Sequence, residues 1–555
     1  MNGKSLMTRR TFMKTTSKAA MAAAAAGAVP ALTVGCSGSS NSQFDVLIKG
    51  GTVYDGTLTE PQTMDVAIKD GRIADVGTVE EKADKTINAN GLAVCPGFID
   101  IHTHCDLTFK NTGWKRYLAY VMPSWKGNHN YLYQGVTTVV TGNCGYGYTD
   151  TNKWLGMADA VGFGTNVYHL APHGMIREEL FGDKQPTELS SAQLDAMKNR
   201  VAEELDKGAI GLSVGLEYAP GLLSTTRELI ELGKVVRQKG RLFTFHMRDE
   251  SGAILEGNRR GILESIKEVV EVARRAEVPV EISHLKISAP FNDVQAGQVL
   301  ELIAAARDEG LDVTADQYPY DAGSTYIIIL LPDRFKTATS VRDEFKTKSG
   351  RDEVKKAIEA VFQHTPPEKT LITMYPDKEE YEGKTLKEIA EMEGRSAAEA
   401  YADMACLDPA PMGVFFAQDM NVVRAFMPHE FVMTASDGWT VPKGMTKPHP
   451  RTYGCFPRKL KQFVMDEKIM PLTAAIRSMT SLPAEKFGIK DRGRIARGMA
   501  ADVVVLKMDS VADHATYTDP HHYSDGVVHL FVNGTAVIEN KEVTGDRNGQ
   551  ALRMS

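Results

Sequence analysis

The sequence predicts an α/β fold: a TIM-like (β/α)8 barrel, a small β-sandwich domain formed by both chain ends, and an inserted subdomain. The middle of the chain alternates apolar strand patterns with amphipathic helix patterns. Both ends are rich in short strand patterns, and one gap between barrel strands is very long. Eight candidate barrel strands end near His104, Cys144, His169, Val214, His246, His284, Asp316 and Asp437.

Short strand patterns punctuated by glycine occur at both ends of the chain. They cover residues 45–48 and 65–68 near the start, and residues 501–506 and 528–538 near the end. We expect the two sets to pair with each other outside the barrel. The predicted β-sandwich domain comprises residues 44–98 and 485–555, and the predicted barrel comprises residues 99–330 and 425–484.

The chain around residues 190–214 has the helix-then-strand pattern of a barrel repeat. Ser190 or Ser191 can cap a helix, and Gly208 can end it before a strand at residues 209–214. The apolar positions of this helix recur at three- and four-residue steps, at Leu194, Met197, Val201 and Leu205. Similar units lead to the strands that end at His246 and His284. In such a barrel, functional groups lie at the carboxyl ends of the strands.

The gap between the seventh and eighth strands is far longer than a βα loop requires. It contains helical patterns at residues 352–362 and 386–404. We therefore predict an inserted subdomain at residues 331–424, which could act as a lid over the barrel.

The first 36 residues have the layout of an export signal. Arg9 and Arg10 precede an alanine-rich apolar stretch that is too short to span a bilayer. This leader resembles a twin-arginine signal, which implies export to the periplasm or cell envelope. Cys36 lies in a sequence similar to a lipoprotein cleavage site, so it is a candidate for a lipid anchor. Residues 37–43 are predicted to be a polar linker.

Composition excludes several classes of protein. The net charge is −7 although the leader is basic, and no basic stripe is present, so nucleic-acid binding is not expected. Without Cys36, the six cysteines become an odd number with irregular spacing, which argues against a disulfide framework. At least one cysteine is therefore free for other chemistry. The sequence does not indicate an oligomeric state.

Two histidines end the first barrel strand. His102 and His104 are separated by one residue, so in an extended strand they point the same way and form half of a metal site. Cys144, His246, His284 and Asp437 fall at the ends of four further predicted strands. Six metal-competent residues at matching strand ends predict a metal-dependent site.

Several motifs resemble those of the amidohydrolase superfamily, and within it the N-acyl-D-amino-acid deacylases, or D-aminoacylases. The motifs are CPGFIDIHTH (residues 95–104), GNCG (142–145), GLEYAPG (215–221), ISHLK (282–286), SDG (436–438) and HPR (449–451). The resemblance covers roughly residues 44–553 in the order that this family shows. It implies zinc-dependent hydrolysis of the amide bond of an N-acyl-D-amino acid, giving a carboxylate and a D-amino acid.

The resemblance also implies roles for individual residues. One zinc would be tightly bound by Cys144, His246 and His284, a borderline-soft ligand set that leaves a fourth position for water. His102 and His104 belong to a second metal position, which in such deacylases can be weak or empty. Asp437 would be the catalytic proton shuttle. Apart from the resemblance, His173 lies near the exit of the third predicted strand, where it could stabilise an oxyanion or donate to the outer shell of the metal, with a structural role as the alternative.

Tyr218, Lys286 and Arg451 match family positions that hold the carboxylate of the amino-acid product. The sequence leaves two alternative functions open. A cyclic-amide hydrolase of the hydantoinase or dihydroorotase kind, or a dipeptidase, commonly bridges two metals through a strand-four lysine, but residues 209–216 contain none. An exported ligand-binding protein that has lost catalysis is the third reading, although none of the expected site residues is missing.

Overall fold

The computed structural model describes residues 42–110, 119, 122–182, 184–255, 259–289, 294–336, 338–375, 378–407 and 409–555. The predicted signal peptide, Cys36 and most of the predicted linker lie outside these residues. The strands in the described ranges, numbered in chain order, are β1 Phe44–Val53, β2 Gln62–Lys69, β3 Arg72–Gly77, β4 Ala83–Asn88, β5 Ala93–Pro96, β6 Phe98–Asp100, β7 Val136–Thr141, β8 Asn166–Pro172, β9 Gly211–Gly215, β10 Leu242–His246, β11 Ile254–Leu255, β12 Arg259–Arg260, β13 Val280–Ile282, β14 Val313–Gln317, β15 Gly323–Tyr326, β16 Thr370–Met374, β17 Met412–Phe415, β18 Val432–Thr434, β19 Val503–Leu506, β20 Val527–Val532, β21 Thr535–Glu539 and β22 Glu542–Val543.

Helices of three kinds connect these strands. The α-helices are Cys105–Phe109, Pro123–Lys126, His129–Leu132, Thr151–Val161, His173–Phe181, Ser191–Asp206, Thr226–Gln238, Gly261–Ala276, Ala296–Asp308, Ala338–Glu344, Lys348–Phe362, Leu386–Glu393, Ala397–Ala405, Met420–Phe426, Arg451–Arg458, Leu472–Met479 and Ser481–Lys486. Lys459–Asp466 is a π-helix, and the 3-10 turns are Asn143–Gly145, Gly221–Leu223, Ile327–Leu330, Asp333–Phe335, Pro367–Lys369, Glu379–Tyr381 and Met508–Ser510. In the described part of the chain, no helix is both long and apolar enough to cross a membrane.

The described chain contains a parallel eight-stranded barrel, as the sequence predicts. Its strand order is β6, β7, β8, β9, β10, β13, β14 and β18. Contacts just beyond the ends of β18 and β6 bring the first and last strands together. The amide of Asp437 donates to the carbonyl of His102 over 2.9 Å, and the amide of His104 donates to the carbonyl of Gly438 over 2.8 Å. Barrel closure therefore places the ends of the first and eighth strands side by side.

Local signals set the bounds of the repeats. The Ser190 side chain accepts from the amide of Gln193 in a capping box, which starts the helix Ser191–Asp206. The predicted strand at residues 209–214 is β9, shifted to Gly211–Gly215. Strands β7 to β10 are buried along their whole length, as expected when helices cover one face of a parallel sheet and packed side chains fill the barrel.

Strands from both chain ends join one further sheet, which confirms that part of the predicted fold. Strand β19 pairs antiparallel with β5, while β1 pairs with β2, β4 and β5. Arg72 at the far edge forms a bridge with Ala500, just before β19, so the sheet folds over on itself. The enclosed core contains Ile48, Val66, Val503 and Phe531. The predicted boundary at residue 99 falls inside β6, which begins at Phe98.

The segment between β14 and β18 has its own small sheet and core. Strands β15, β17 and β16 form an antiparallel sheet, and helices Lys348–Phe362, Leu386–Glu393 and Ala397–Ala405 pack beside it. The helical pattern predicted over residues 386–404 is divided between two helices. Gly394 adopts a φ of 65° and ends the first helix, and Ser396 caps the second.

Candidate metal centre and substrate cavity

The metal-competent residues lie just beyond the carboxyl ends of the barrel strands. His102 and His104 follow β6, His246 ends β10, and His284 lies two residues after β13. Three site residues have left-handed backbones: φ is 55° at Cys144, 39° at His284 and 50° at Asp437. Such conformations are unfavourable for residues other than glycine and occur often at functional sites. Here they aim side chains from three different strand ends into one space.

Cys144, His246 and His284 form a compact, buried donor set. The Cys144 Sγ lies 3.7 Å from Nε2 of His284, which in turn lies 2.9 Å from Nδ1 of His246. One ligand atom from each residue lies within 4.8 Å of the other two. One sulfur and two imidazole nitrogens at these separations fit a four-coordinate zinc ion with its fourth position open.

A second donor set shares the same cysteine. Nε2 of His102 is 3.3 Å from the Cys144 Sγ, and His102, His104 and Cys144 together form another group of the same compactness. His102, His284 and Asp437 form a third such group. The geometry therefore accommodates two adjacent metal positions, with the thiol of Cys144 between them.

The protein environment favours the thiolate form of Cys144. Burial by itself would raise the pKa of this thiol, but the charges of His102 and His246 outweigh that effect. The pKa consequently lies well below its ordinary value. Since the thiolate is the form that binds metal, Cys144 is prepared to act as a ligand.

Three carboxylates lie behind the histidines, and the sequence patterns predicted a site role for none of them. Oδ2 of Asp316 is 3.1 Å from Nδ1 of His102. Oε2 of Glu217 is 3.1 Å from Nε2 of His246, and Oε1 of Glu250 is 2.9 Å from Nδ1 of His284. Carboxylates in this position fix the ring orientation of metal-binding histidines. Their proximity to predicted strand ends was the available signal: Glu250, for example, follows His246 by four residues.

Asp437 lies between the histidines of the first strand and Arg451. Its Oδ1 is 3.0 Å from Nε2 of His104 and 3.6 Å from Nε2 of His102, while its Oδ2 is 2.8 Å from Arg451. Burial would raise the pKa of this carboxyl, but Arg451 and the histidines lower it well below its usual range. Asp437 is thus held as a carboxylate beside the metal-competent groups.

The three predicted substrate residues line one cavity of about 1040 Å³ between the barrel mouth and the inserted segment. Lys286 forms an ion pair with Glu250, and the Arg451 guanidinium lies 4.5 Å from the centre of the Tyr318 ring. The Tyr218 hydroxyl is 3.1 Å from the Thr325 hydroxyl. The cavity therefore places two cations and two phenols near Asp437, and Tyr318 is an addition to the predicted set.

His173 occupies a different environment from the predicted metal ligands. Its Nε2 is 2.9 Å from Glu228, which also receives a hydrogen bond from the buried Arg177. These contacts are consistent with the structural alternative for His173. Its proposed oxyanion role stays a prediction.

Known proteins with similar sequences support the interpretation of this site as that of a hydrolase. Residues 85–538 match the Amidohydrolase family. The chain belongs to this family. It is 34% identical to an N-acyl-D-glutamate deacylase of Alcaligenes xylosoxydans xylosoxydans, over 92% of this chain and 97% of that protein. It is 31% identical to a D-aminoacylase of the same organism, over 93% and 98% of the two chains.

A solved deacylase structure has a similar fold. The N-acyl-D-glutamate deacylase of Bordetella bronchiseptica, complexed with zinc and a phosphonate inhibitor that mimics the tetrahedral intermediate, has a TM-score of 0.77 with this chain. The identity is 30%, and the match covers 92% of this chain and 100% of that one. The similarity therefore includes the sheet from the chain ends and the inserted segment as well as the barrel.

Proposed function

We propose that this amidohydrolase uses zinc to hydrolyse N-acyl-D-amino acids to a carboxylate and a D-amino acid. The observation that carries the proposal is that the buried donor set Cys144, His246 and His284 lies next to Asp437. The cavity beside them contains Lys286 and Arg451, which suit a substrate carboxylate. The deacylase activities of the relatives support the same substrate class.

Metal binding and proton transfer are assigned to different side chains. Cys144, His246 and His284 would hold the tightly bound zinc, and His102 and His104 would contribute to a second, weaker position. When bound, zinc supplies Lewis acidity, which polarises a carbonyl group and lowers the pKa of water. Asp437 accepts a proton as the water oxygen attacks the amide carbon. It returns that proton to the nitrogen as the C–N bond breaks.

The substrate is held at both ends in this scheme. Lys286, Arg451 and Tyr218 bind the α-carboxylate, while the acyl group reaches the metal position. With these two anchors in place, only one enantiomer can direct its side chain into the remaining space. The preference for D-amino acids would therefore follow from geometry.

A cyclic-amide hydrolase or dipeptidase remains the alternative within the family. Strand β9, where a bridging lysine would be expected, has the sequence GLSVG and contains no lysine. The experiment that separates these functions is an assay of the purified protein on N-acetyl-D-amino acids, N-acetyl-L-amino acids and hydantoins, with metal analysis. Release of D-amino acid with bound zinc supports the proposal, whereas hydrolysis of hydantoins alone contradicts it.

We also propose that the protein is exported by the twin-arginine route to the periplasm or cell envelope. The pair Arg9 and Arg10 before the alanine-rich stretch supports this proposal. Cys36 is the residue to which a lipid anchor would be attached.

A further inference from the structure

The two carboxylates behind His246 and His284 have parallel surroundings. Glu217 faces His246 with one oxygen, and its other oxygen lies 3.8 Å from Nζ of Lys336. Glu250 faces His284 with one oxygen and forms an ion pair with Lys286 through the other. Glu250 is the more deeply buried carboxylate, with 5% of its side chain exposed against 23% for Glu217. The two arrangements differ in the lysine that each carboxylate holds and in the contact with histidine. Glu217 is hydrogen-bonded to His246, whereas Oε1 of Glu250 lies near Nδ1 of His284 as a buried acceptor without a hydrogen bond.

Which neighbour can form a hydrogen bond with Nδ1 of His284 depends on which ring nitrogen carries the proton. Both Glu250 and Lys286 lie close to Nδ1, at 2.9 Å and 2.8 Å. If Nε2 is the metal ligand, it carries no proton, so neutral imidazole carries its proton on Nδ1 and must donate. A lysine ammonium has three donors and no acceptor, so it cannot receive this hydrogen bond. Glu250 is the neighbour that can.

Lys286 depends on Glu250 for the same reason. Once Nδ1 of His284 carries a proton, it no longer accepts from Lys286, whose nearby anionic partner is then Glu250. An ammonium can donate to Glu250 and still direct its remaining protons into the cavity that it lines. Glu250 thus sets the position from which Lys286 can reach a substrate carboxylate.

We propose that Glu250 is a positioning residue with two tasks: it orients His284 toward the metal and presents Lys286 to the substrate. The second task rests on the proposed function, since it assumes a carboxylate-bearing substrate. The first task concerns only metal binding. Glu217 performs the equivalent of the first task for His246, but the lysine beside it is Lys336 rather than the predicted carboxylate anchor Lys286, which makes it the matched control.

The first measurement is zinc affinity, determined by competition with a chelating dye. We expect Glu250→Gln and Glu217→Gln each to weaken zinc binding by about 10- to 100-fold, the usual effect of losing an outer carboxylate partner. Glu250→Asp should retain part of the affinity because it keeps the charge and an acceptor. An unchanged zinc affinity in Glu250→Gln would contradict the first task.

The second measurement compares KM at saturating zinc for an N-acetyl-D-amino acid and for its neutral C-terminal amide. Glu250→Gln should raise KM for the acid by about 10-fold or more, which corresponds to a weakened hydrogen bond to a charged group. The KM for the amide should change little. Glu217→Gln should leave the ratio of the two KM values as in the wild type, because it does not contact Lys286.

The outcomes separate this inference from the proposed function. A fall in KM for the acid in Glu250→Gln would show that Glu250 competes with the substrate for Lys286. Equal changes in KM for acid and amide would show that Glu250 does not affect binding of the substrate carboxylate. Either result overturns the second task. Failure of the proposed function would instead appear in the wild type, as absence of deacylation, while the zinc measurement would still report on His284.

Discussion

The guanidinium of Arg451 lies 2.8 Å from Oδ2 of Asp437, so the predicted carboxylate anchor is also the ion-pair partner of the predicted proton shuttle. Arg451 is buried beside the Tyr318 ring, and Asp437 is buried beside His104. One arginine can therefore influence both substrate binding and proton transfer. Removing Arg451 should therefore weaken both substrate binding and proton transfer.

Arg451→Ala should lower kcat/KM for an N-acyl-D-amino acid by about 10- to 150-fold, since it removes a hydrogen bond to a charged group. On the neutral amide of the same substrate the loss should be smaller but still measurable, because Asp437 loses its partner on either substrate. Steady-state kinetics of both enzymes on both substrates form a double-mutant cycle. Equal losses on acid and amide would show that Arg451 does not touch the substrate carboxylate.

Arg458→Ala is the matched control for this cycle. Arg458 lies on the same helix, with its guanidinium 4.7 Å from the centre of the Tyr320 ring and 3.1 Å from Asp513. It repeats the cation, the aromatic ring and the carboxylate of the Arg451 site without contacting Asp437. Its removal should not distinguish the acid from the amide.

Asp437→Asn should fold, retain zinc and lose most of its turnover. General acid–base catalysis contributes about 10²–10⁴-fold, and asparagine cannot accept the proton from water. The measurement is kcat, accompanied by zinc content and circular dichroism. A variant with more than about a tenth of the wild-type rate would exclude the role of Asp437 as the proton shuttle.

Cys144→Ala should lose both the tightly bound zinc and activity, because it removes the thiolate from both donor groups that contain it. His102→Ala should retain much of the zinc, since Cys144, His246 and His284 form a complete set without it. Metal analysis after dialysis measures both outcomes. Cys95→Ala, which removes a buried cysteine from β5, is the control for the loss of a thiol. Stoichiometric zinc in the Cys144 variant would refute the ligand assignment.

Lys459→Met should stabilise the protein at neutral pH, and the gain should shrink as pH rises toward 10. Burial lowers the pKa of Lys459 to about 7, and its ammonium contacts only the hydroxyls of Thr434 and Ser478 among the described side chains. Between pH 7 and 10 the unfolded state then binds more protons, so wild-type stability rises with pH by up to about 1.4 kcal/mol per unit relative to the variant.

The Lys459 prediction is checked by comparing Tm at several pH values between 6 and 10. Lys461→Met provides the control, because 41% of the Lys461 side chain is exposed and it pairs with Asp466 on the same helix. It should not change the pH dependence of Tm. A constant Tm difference between Lys459→Met and wild type across this range would show that Lys459 does not titrate there.

Changing Arg9 and Arg10 to lysine should retain the precursor in the cytoplasm if the twin-arginine route is used. Cell fractionation and immunoblotting measure the distribution. Changing Lys4 and Lys18 to arginine keeps the charge of the leader and should not affect export. Mature protein of normal abundance in the envelope fraction of the double-lysine variant would indicate another route. Labelling with palmitate, in wild type and in Cys36→Ser, tests the lipid anchor.

The barrel was predictable because its repeats carry local signals. Leu229, Leu232 and Val236 lie on one face of their helix and are buried, as a helical period requires. Helix starts and stops at Ser190 and Gly208 depend on residues within one turn. The break inside the helical pattern at residues 386–404 was not predicted, because the apolar period continues across Gly394 although the chain does not remain helical there.

By itself, the sequence determined which donors stand at which strand ends. His102, His104, Cys144, His246 and Asp437 could be identified because strand periodicity and barrel connectivity place residues in such positions at one end of the barrel. That placement needs only the order of the elements along the chain.

The tertiary structure alone decided how these groups pair. Glu250 could have faced His246, four residues away, yet its closer contacts are to His284 and Lys286 on the neighbouring strand end. Arg451 meets Asp437 because the helix that begins at Arg451 packs against the last strand end. A hydrogen bond forms only when donor and acceptor lie within a few tenths of an ångström of about 2.9 Å, so side chains on different elements must be placed accurately. Local sequence patterns do not specify those separations, which are set by the packing of the whole barrel.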